Sequence, residues 1–217
     1  MPPKIIIWGA GWQARVVADI LRLRGEFEVA GFLDDVNPHR KGEAFEGREI
    51  LGGREILAGL GGLGVTHLIF GFGNSAAKFA LEPLAAAGLA FGRAIHPGAH
   101  VPPEVPVGAG SVIKAGAVID PGTRLGRHVI VGANAVVTHG SALEDGARLA
   151  AGSLLGGSVR VGRGALVGLG AAVIGGVSVG AGALVGAGAV VLRDVPPGMV
   201  AAGNPARILR EARADDF

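Results

Sequence analysis

The side chains able to exchange a proton near neutral pH are six histidines, at positions 39, 67, 96, 100, 128 and 139. Cysteine is absent, which removes thiolate nucleophiles and thiolate metal ligands. His39 lies in a polar loop and reads as solvated. His67 opens an apolar run and reads as structural, and His96 precedes Pro97 at a junction. His100 and His128 read as surface residues. His139 lies in Val137-Thr138-His139-Gly140-Ser141, two residues after an aliphatic position of a strict repeat. There it should approach a corner and point outward. A lone corner histidine is more often structural than catalytic, so its meaning depends on what surrounds it.

The surrounding element is a ladder of period six. Ile95, Val101, Val107, Ile113, Ile119, Leu125, Val131, Val137, Leu143, Leu149, Leu155, Val161, Val167, Val173, Val179, Val185 and Val191 are all aliphatic. The residue four places after each is small or β-branched, as at Ala117, Ser141, Ala165 and Val177. A period of six fits neither an α-helix nor a simple alternating strand. It fits a triangular coil of three six-residue strands, about 18 residues per turn, stacked at about 4.8 Å. The aliphatic residue fills the inside of each face and the small residue packs inward near the corner. Glycine directly follows the aliphatic at 108, 126, 132, 156, 162, 168, 180 and 186. These glycines are read as serving corner conformations that oppose a Cβ. A turn of three hexads lays Gly157 above His139. A bare Gly157 N–H there could donate to a developing oxyanion. Gly175 and Gly176 continue the bare track one turn further on.

Residues 1 to about 92 have another rhythm. Lys4 to Trp8, Glu26 to Leu33 and Thr66 to Phe70 read as strands. Gln13 to Arg24, Ile50 to Leu60 and Ser75 to Ala87 read as helices. Alternating strands and helices predict a small parallel α/β domain. Gly9-x-Gly11-x-x-Ala14 lies between a strand and a helix, where backbone N–H groups can meet a phosphate. Asp34 and Asp35 close the second strand, where a carboxylate can meet a nucleoside. The same pattern also fits a ligand-free turn or a dinucleotide site.

Composition narrows the classes. Forty glycines and 5% aromatics call for small residues packed against backbone. A net charge of +2 without a basic block argues against a nucleic-acid partner. Gly, Pro or charge interrupts every apolar run before about 18 residues, so no membrane span is expected. The opening residues read as a strand and not a signal peptide, which makes cytoplasmic the expected location.

The whole pattern resembles the hexapeptide-repeat acyltransferases. In particular it resembles those acting on UDP-4-amino sugars, with the related sialic-acid O-acetyltransferases. The likeness rests on Gly9-x-Gly11, Phe32-Leu33-Asp34-Asp35, the Gly71-Phe72-Gly73-Asn74 turn, Ile95-His96-Pro97, the hexads, and Gly203-Asn204-Pro205-Ala206-Arg207. It implies a Rossmann-like nucleotide-sugar-binding domain over 1–92, a left-handed parallel β-helix over 93–200 and a tail over 201–217. It also implies a homotrimer with acetyl-CoA between subunits and no metal. By the same likeness His139 is the general base and Gly157 the oxyanion donor. Arg148, Gly157, Gly175, Ala187 and Arg207 would hold the coenzyme. Gly9, Gly11, Gln13, Asp34, Asp35, Gly73 and Asn74 would hold the UDP-amino sugar.

Three positions depart from the family pattern. Gly140 stands where an acidic residue follows the histidine. Arg148 replaces a second histidine, and Trp12-Gln13 replaces a Gly-His pair. Glu144, Asp145 or a backbone carbonyl remain as groups that could orient His139. Arg207 and Arg210 read equally as phosphate ligands or as a solvated tail. Alternatives to N-acetylation are O-acetylation of a sugar or small hydroxyl acceptor, and a catalytically silent nucleotide-sugar-binding scaffold. A zinc enzyme on the same framework needs a histidine pair five residues apart, which the chain lacks.

Overall fold

The computed structural model describes residues 1–85, 88–213 and 216, in two compact units, Met1–Pro97 and Gly98–Phe217. The first unit carries strands β1 (Lys4–Trp8), β2 (Glu28–Leu33), β3 (Ala44–Phe45), β4 (Arg48–Gly52), β5 (Val65–Phe70) and β6 (Ala90–Phe91). Its helices are α1 (Trp12–Arg24) and α2 (Ser75–Ala85). The sheet order is β3-β4-β2-β1-β5-β6, parallel except for the β3–β4 hairpin. Ile5, Ile6, Ile7 and Trp8 are all buried, because a parallel strand flanked on both faces has no solvent side. The α1 helix buries Ala14, Val17, Ala18, Ile20 and Leu21 and ends on Gly25 at φ 66°.

Two expectations for this unit need revision. Residues 50 to 60 form no α-helix: β4 runs to Gly52 and a 3-10 segment spans Arg54–Leu63. Gly52 at φ 140° breaks the chain there, and Gly59, Gly61 and Gly62 weaken α-helix formation beyond it. The final turn expected for α2, at 86–87, lies outside the described residues.

The second unit is a parallel β-helix. Pairs such as Val118↔Val136↔Leu154↔Ala172↔Val190 and Arg124↔Ala142↔Arg160↔Ser178 advance by three hexads at each step. The aliphatic positions from Ile113 to Val191 are all buried, and so are the small residues four places on. Strands are only two residues long, not six. The other four residues of each hexad make the corner. The last turn is shorter, with Leu184 pairing Val200. There the chain reverses, and Met199–Gly203 pairs antiparallel with Ala206–Glu211.

The corner glycines fall into two classes, and those directly after the aliphatic are not the left-handed ones. A Cβ on Gly132 would lie 2.5 Å from the Ala150 carbonyl carbon, and one on Gly156 2.5 Å from the Gly175 nitrogen. These positions are bare because consecutive turns stack backbone to backbone. Left-handed φ occurs two residues later, at every sixth position from Gly110 to Gly188. Eleven of those fourteen residues are glycine; His128, Asn134 and Ser158 are the others. Each of the three lays its side chain over the glycine one turn earlier: Gly110, Gly116 and Gly140. This explains why His128 is buried at 1% exposure and is not a surface residue.

Candidate active site

In the β-helix, His139 occupies a corner column with Gly157 and Gly175. The Ser158 N–H donates to the His139 carbonyl at 2.9 Å, and the Gly176 N–H donates to the Gly157 carbonyl at 2.9 Å. His139 is exposed, and its ring leans onto the turn above. A Cβ on Gly157 would lie 2.7 Å from Nε2, 3.0 Å from Cε1 and 3.3 Å from Cδ2. The imidazole thus fits because residue 157 has no side chain. A Cβ on Gly175 would in turn lie 3.0 Å from the Gly157 carbonyl oxygen.

The amide two residues after the aliphatic points outward from the corner. At Arg127 it donates to Asp145 Oδ1 at 2.8 Å, and at Arg163 to Glu144 Oε2 at 3.0 Å. Gly157 occupies the same place in its hexad and, like His139, Gly175 and Ala187 at that place, has no protein acceptor for its N–H among the described residues. An outward donor beside an imidazole is the pair that acyl transfer requires.

The carboxylates read as possible partners of His139 are engaged elsewhere. Asp145 accepts from Arg127 Nη2 at 3.0 Å as well as from its amide, and Glu144 faces Arg160 at 3.7 Å and the Arg163 amide. Desolvation raises the Asp145 pKa, but the Arg127 amide and guanidinium more than offset it and hold the carboxyl below its usual value. Among the described residues, no side chain hydrogen bonds to the His139 ring.

The other coenzyme candidates are not in this column. Arg148 projects from a face between Ile130 and Leu166, half-buried, and desolvation lowers its pKa. Ala187 belongs to the corner of Ala133, Ala151 and Leu169. Arg207 is exposed on the terminal hairpin, and Arg210 is held by Asp216 at 2.7 Å.

In the first unit the candidate nucleotide residues gather along one edge. Trp8 pairs with Leu33 and with Phe70, so the turns after β1, β2 and β5 leave the sheet side by side. Ligands of open parallel sheets bind at this carboxyl edge. Gly9 takes φ 126° and donates to the Leu33 carbonyl at 2.7 Å. A Cβ on Gly11 would meet nothing within 4 Å, so no protein neighbour requires glycine there. Gly73 and Asn74 follow β5, and Asn74 Oδ1 caps α2 by accepting from the Ala77 N–H at 2.9 Å. Gln13 is half-buried in the first turn of α1, and Trp12 is 84% exposed.

Asp34 and Asp35 already have protein partners. Asp34 Oδ1 accepts from the Val36 and Asn37 amides at 3.0 Å, and Oδ2 meets Arg40 at 3.2 Å. Arg40 also donates to the Ala10 carbonyl at 2.9 Å, tying this loop to the glycine turn. Asp35 accepts from Trp8 Nε1 at 3.1 Å and from the Arg54 amide at 2.7 Å. Sequence reasoning passed over Trp8, Arg40 and Arg54. Among the described residues no cluster of three or more metal-ligating side chains occurs, and no helix is long and apolar enough to cross a membrane.

Residues 4–80 match the PglD N-terminal domain, and residues 122–156 and 158–193 match the hexapeptide repeat of succinyl-transferase. No curated protein sequence matches the chain. The acetyltransferase domain of PglB from Neisseria gonorrhoeae, solved with acetyl coenzyme A, is 34% identical. The alignment covers 96% of this chain and 100% of that one, with a TM-score of 0.89. A GDP-perosamine N-acetyl transferase variant from Caulobacter crescentus, solved with CoA and GDP-perosamine, is 36% identical over 96% and 97% of the two chains, with a TM-score of 0.90. WeeI from Acinetobacter baumannii, at 23% identity, 94% and 99% coverage and a TM-score of 0.81, shares the fold. A bare glycine under an outward histidine, repeated turns of three hexads, and one-third identity over whole chains converge: the protein is an acyltransferase and belongs to the hexapeptide-repeat sugar acetyltransferases with a PglD-type N-terminal domain.

Proposed function

We propose that the protein transfers the acetyl group of acetyl-CoA to the amine of a nucleotide-linked amino sugar. Residues 1–92 would hold the nucleotide sugar and the β-helix the coenzyme. The observation that carries this reading is that His139 Nε2 lies 2.7 Å from where a Cβ on the bare Gly157 would stand, beside an amide with no protein acceptor among the described residues. His139 takes a proton from the sugar amine as the nitrogen attacks the thioester carbonyl. The Gly157 N–H stabilises the resulting oxyanion. The C–S bond then breaks, and the imidazolium returns the proton to the departing thiolate. No covalent enzyme intermediate is needed.

Relatives with acetyl coenzyme A and with GDP-perosamine support both substrate classes. The expected acceptor is UDP-linked, and the perosamine relative makes a GDP-linked acceptor the second to try. The gathering of Gly9, Gly11, Gly73 and Asn74 at one sheet edge supports nucleotide binding there. Arg148, Gly175, Ala187 and Arg207 remain the proposed coenzyme contacts. They lie in separate columns of one chain, so a coenzyme lying between β-helices of a homotrimer would account for them together.

One face of the β-helix also supports a trimer. Its outward column is Val118, Val136, Leu154, Ala172 and Val190, and Leu154 is 48% exposed. The column Arg124, Ala142, Arg160 and Ser178 carries two arginines and a serine by contrast.

The test is thiol release from acetyl-CoA against UDP- and GDP-linked amino sugars, with product mass. His139→Ala should lower kcat by roughly 10²–10⁴-fold with the fold intact. Near-normal turnover by that variant would remove His139 as the base.

A further inference from the structure

We infer that Ser158 is the positioning residue of His139, its hydroxyl standing in for the acid that residue 140 does not supply. The inference rests on His139 acting as the base. Ser158 takes φ 58° at a position where eleven of fourteen equivalents are glycine. Asn134 and His128, the other exceptions, are of types that tolerate this region; serine is not among them. A residue held in a costly conformation where glycine is the rule marks a requirement for its side chain.

That side chain lies in the active corner. Ser158 directly follows Gly157, against which the imidazole rests, and its N–H donates to the His139 carbonyl at 2.9 Å. Its Oγ is 3.1 Å from where a Cβ on Gly140 would stand. The imidazole climbs over Gly157 while the hydroxyl descends over Gly140, so the two are neighbours in adjacent columns. Ser158 is exposed, and among the described residues its hydroxyl has no hydrogen-bond partner.

An imidazole whose Nε2 accepts a proton must carry hydrogen on Nδ1, and a protein acceptor for that N–H fixes the tautomer. Glu144 and Asp145 are turned to arginines and backbone amides. The inference requires that rotation about the Ser158 Cα–Cβ bond carry the hydroxyl oxygen from above Gly140 to Nδ1 of the neighbouring ring. A neutral hydroxyl fixes the tautomer without raising the basicity of the ring as a carboxylate does. Gly140 is the other half of the device, since a side chain there would meet the Ser158 hydroxyl.

The test is nitrogen NMR of His139 in the full-length protein, with Ser158→Gly and Ser158→Asp. It needs no acceptor sugar. In the wild type, neutral His139 should be mainly the Nδ1–H tautomer. Ser158→Gly should lose that preference while its Tm stays level or rises, because glycine suits this φ. Ser158→Asp, which keeps an acceptor oxygen at this place, should keep the tautomer. With acetyl-CoA and a UDP-amino sugar, Ser158→Gly should lower kcat about tenfold or more, with both KM values within about twofold. An unchanged tautomer in Ser158→Gly would overturn the inference. Loss of the tautomer in an enzyme that acetylates no sugar would sustain it and sink the proposed acceptor instead.

Discussion

Gly157→Ala separates the catalytic geometry from the fold more cleanly than any change at the histidine. The added methyl would stand 2.7 Å from His139 Nε2, whereas ordinary contact begins at 3.4 Å. The ring must therefore retreat by about 0.7 Å along that contact. It can do so without unfolding anything, because the imidazole is exposed. Residue 157 is outside the left-handed series, so alanine meets no backbone strain there. Stability should stay within about 0.5 kcal/mol of wild type, as for surface substitutions. Catalysis should not. A misplacement approaching 1 Å costs on the order of 100-fold, so kcat should fall by about 30- to 100-fold, or about 2–2.7 kcal/mol of barrier. Thiol release at saturating acetyl-CoA gives kcat, and a thermal melt gives the stability. Turnover above about one-third of wild type in a fully folded variant would show that the stacking of the ring on Gly157 is incidental.

Other perturbations test the framework. Leu154→Glu places a charge in the middle of an aliphatic column. If this face is the subunit contact, the substitution removes about 1.5–3 kcal/mol per buried leucine, and analytical ultracentrifugation should show smaller species. An unchanged sedimentation profile would place the interface elsewhere. Gly152→Ala and Gly132→Ala test the two glycine classes. Gly152 has φ 68° and open space around its missing Cβ, so alanine should cost about 1–2 kcal/mol by denaturant titration. Alanine at Gly132 meets stacked backbone at 2.5 Å and should cost more. Equal costs would refute the distinction.

How far the sequence can be read follows from what each pattern encodes. The β-helix was legible because the inward residue of each hexad is fixed by burial, and burial selects residue type. Strand length was not, because the period marks which residues point inward and says nothing about how many pair. The two kinds of glycine look alike in sequence, and only the backbone separates those that need a left-handed φ from those that need room. The apolar spacing of Ile50, Leu51, Ile56, Leu57 and Leu60 suggested a helix, but Gly52 and Gly53 interrupt it. Asp34 and Asp35 looked free because their partners Arg40, Trp8 and Arg54 arrive from other parts of the chain.

The same reasoning explains why His139 was visible and Ser158 was not. His139 stands out by type alone, since few side chains titrate near neutrality. Ser158 becomes visible only after the left-handed column is laid out, where it is one of three residues that are not glycine. The signal was present in the sequence as a fixed offset of three from each aliphatic position. A departure from glycine there has a conformational cost, so it needs a reason. His128 and Asn134 cover bare glycines away from the His139 column, whereas Ser158 covers the one that follows the base. A repeat protein therefore exposes its functional positions by where the repeat is broken at a cost, and the weight of each break depends on which column it falls in.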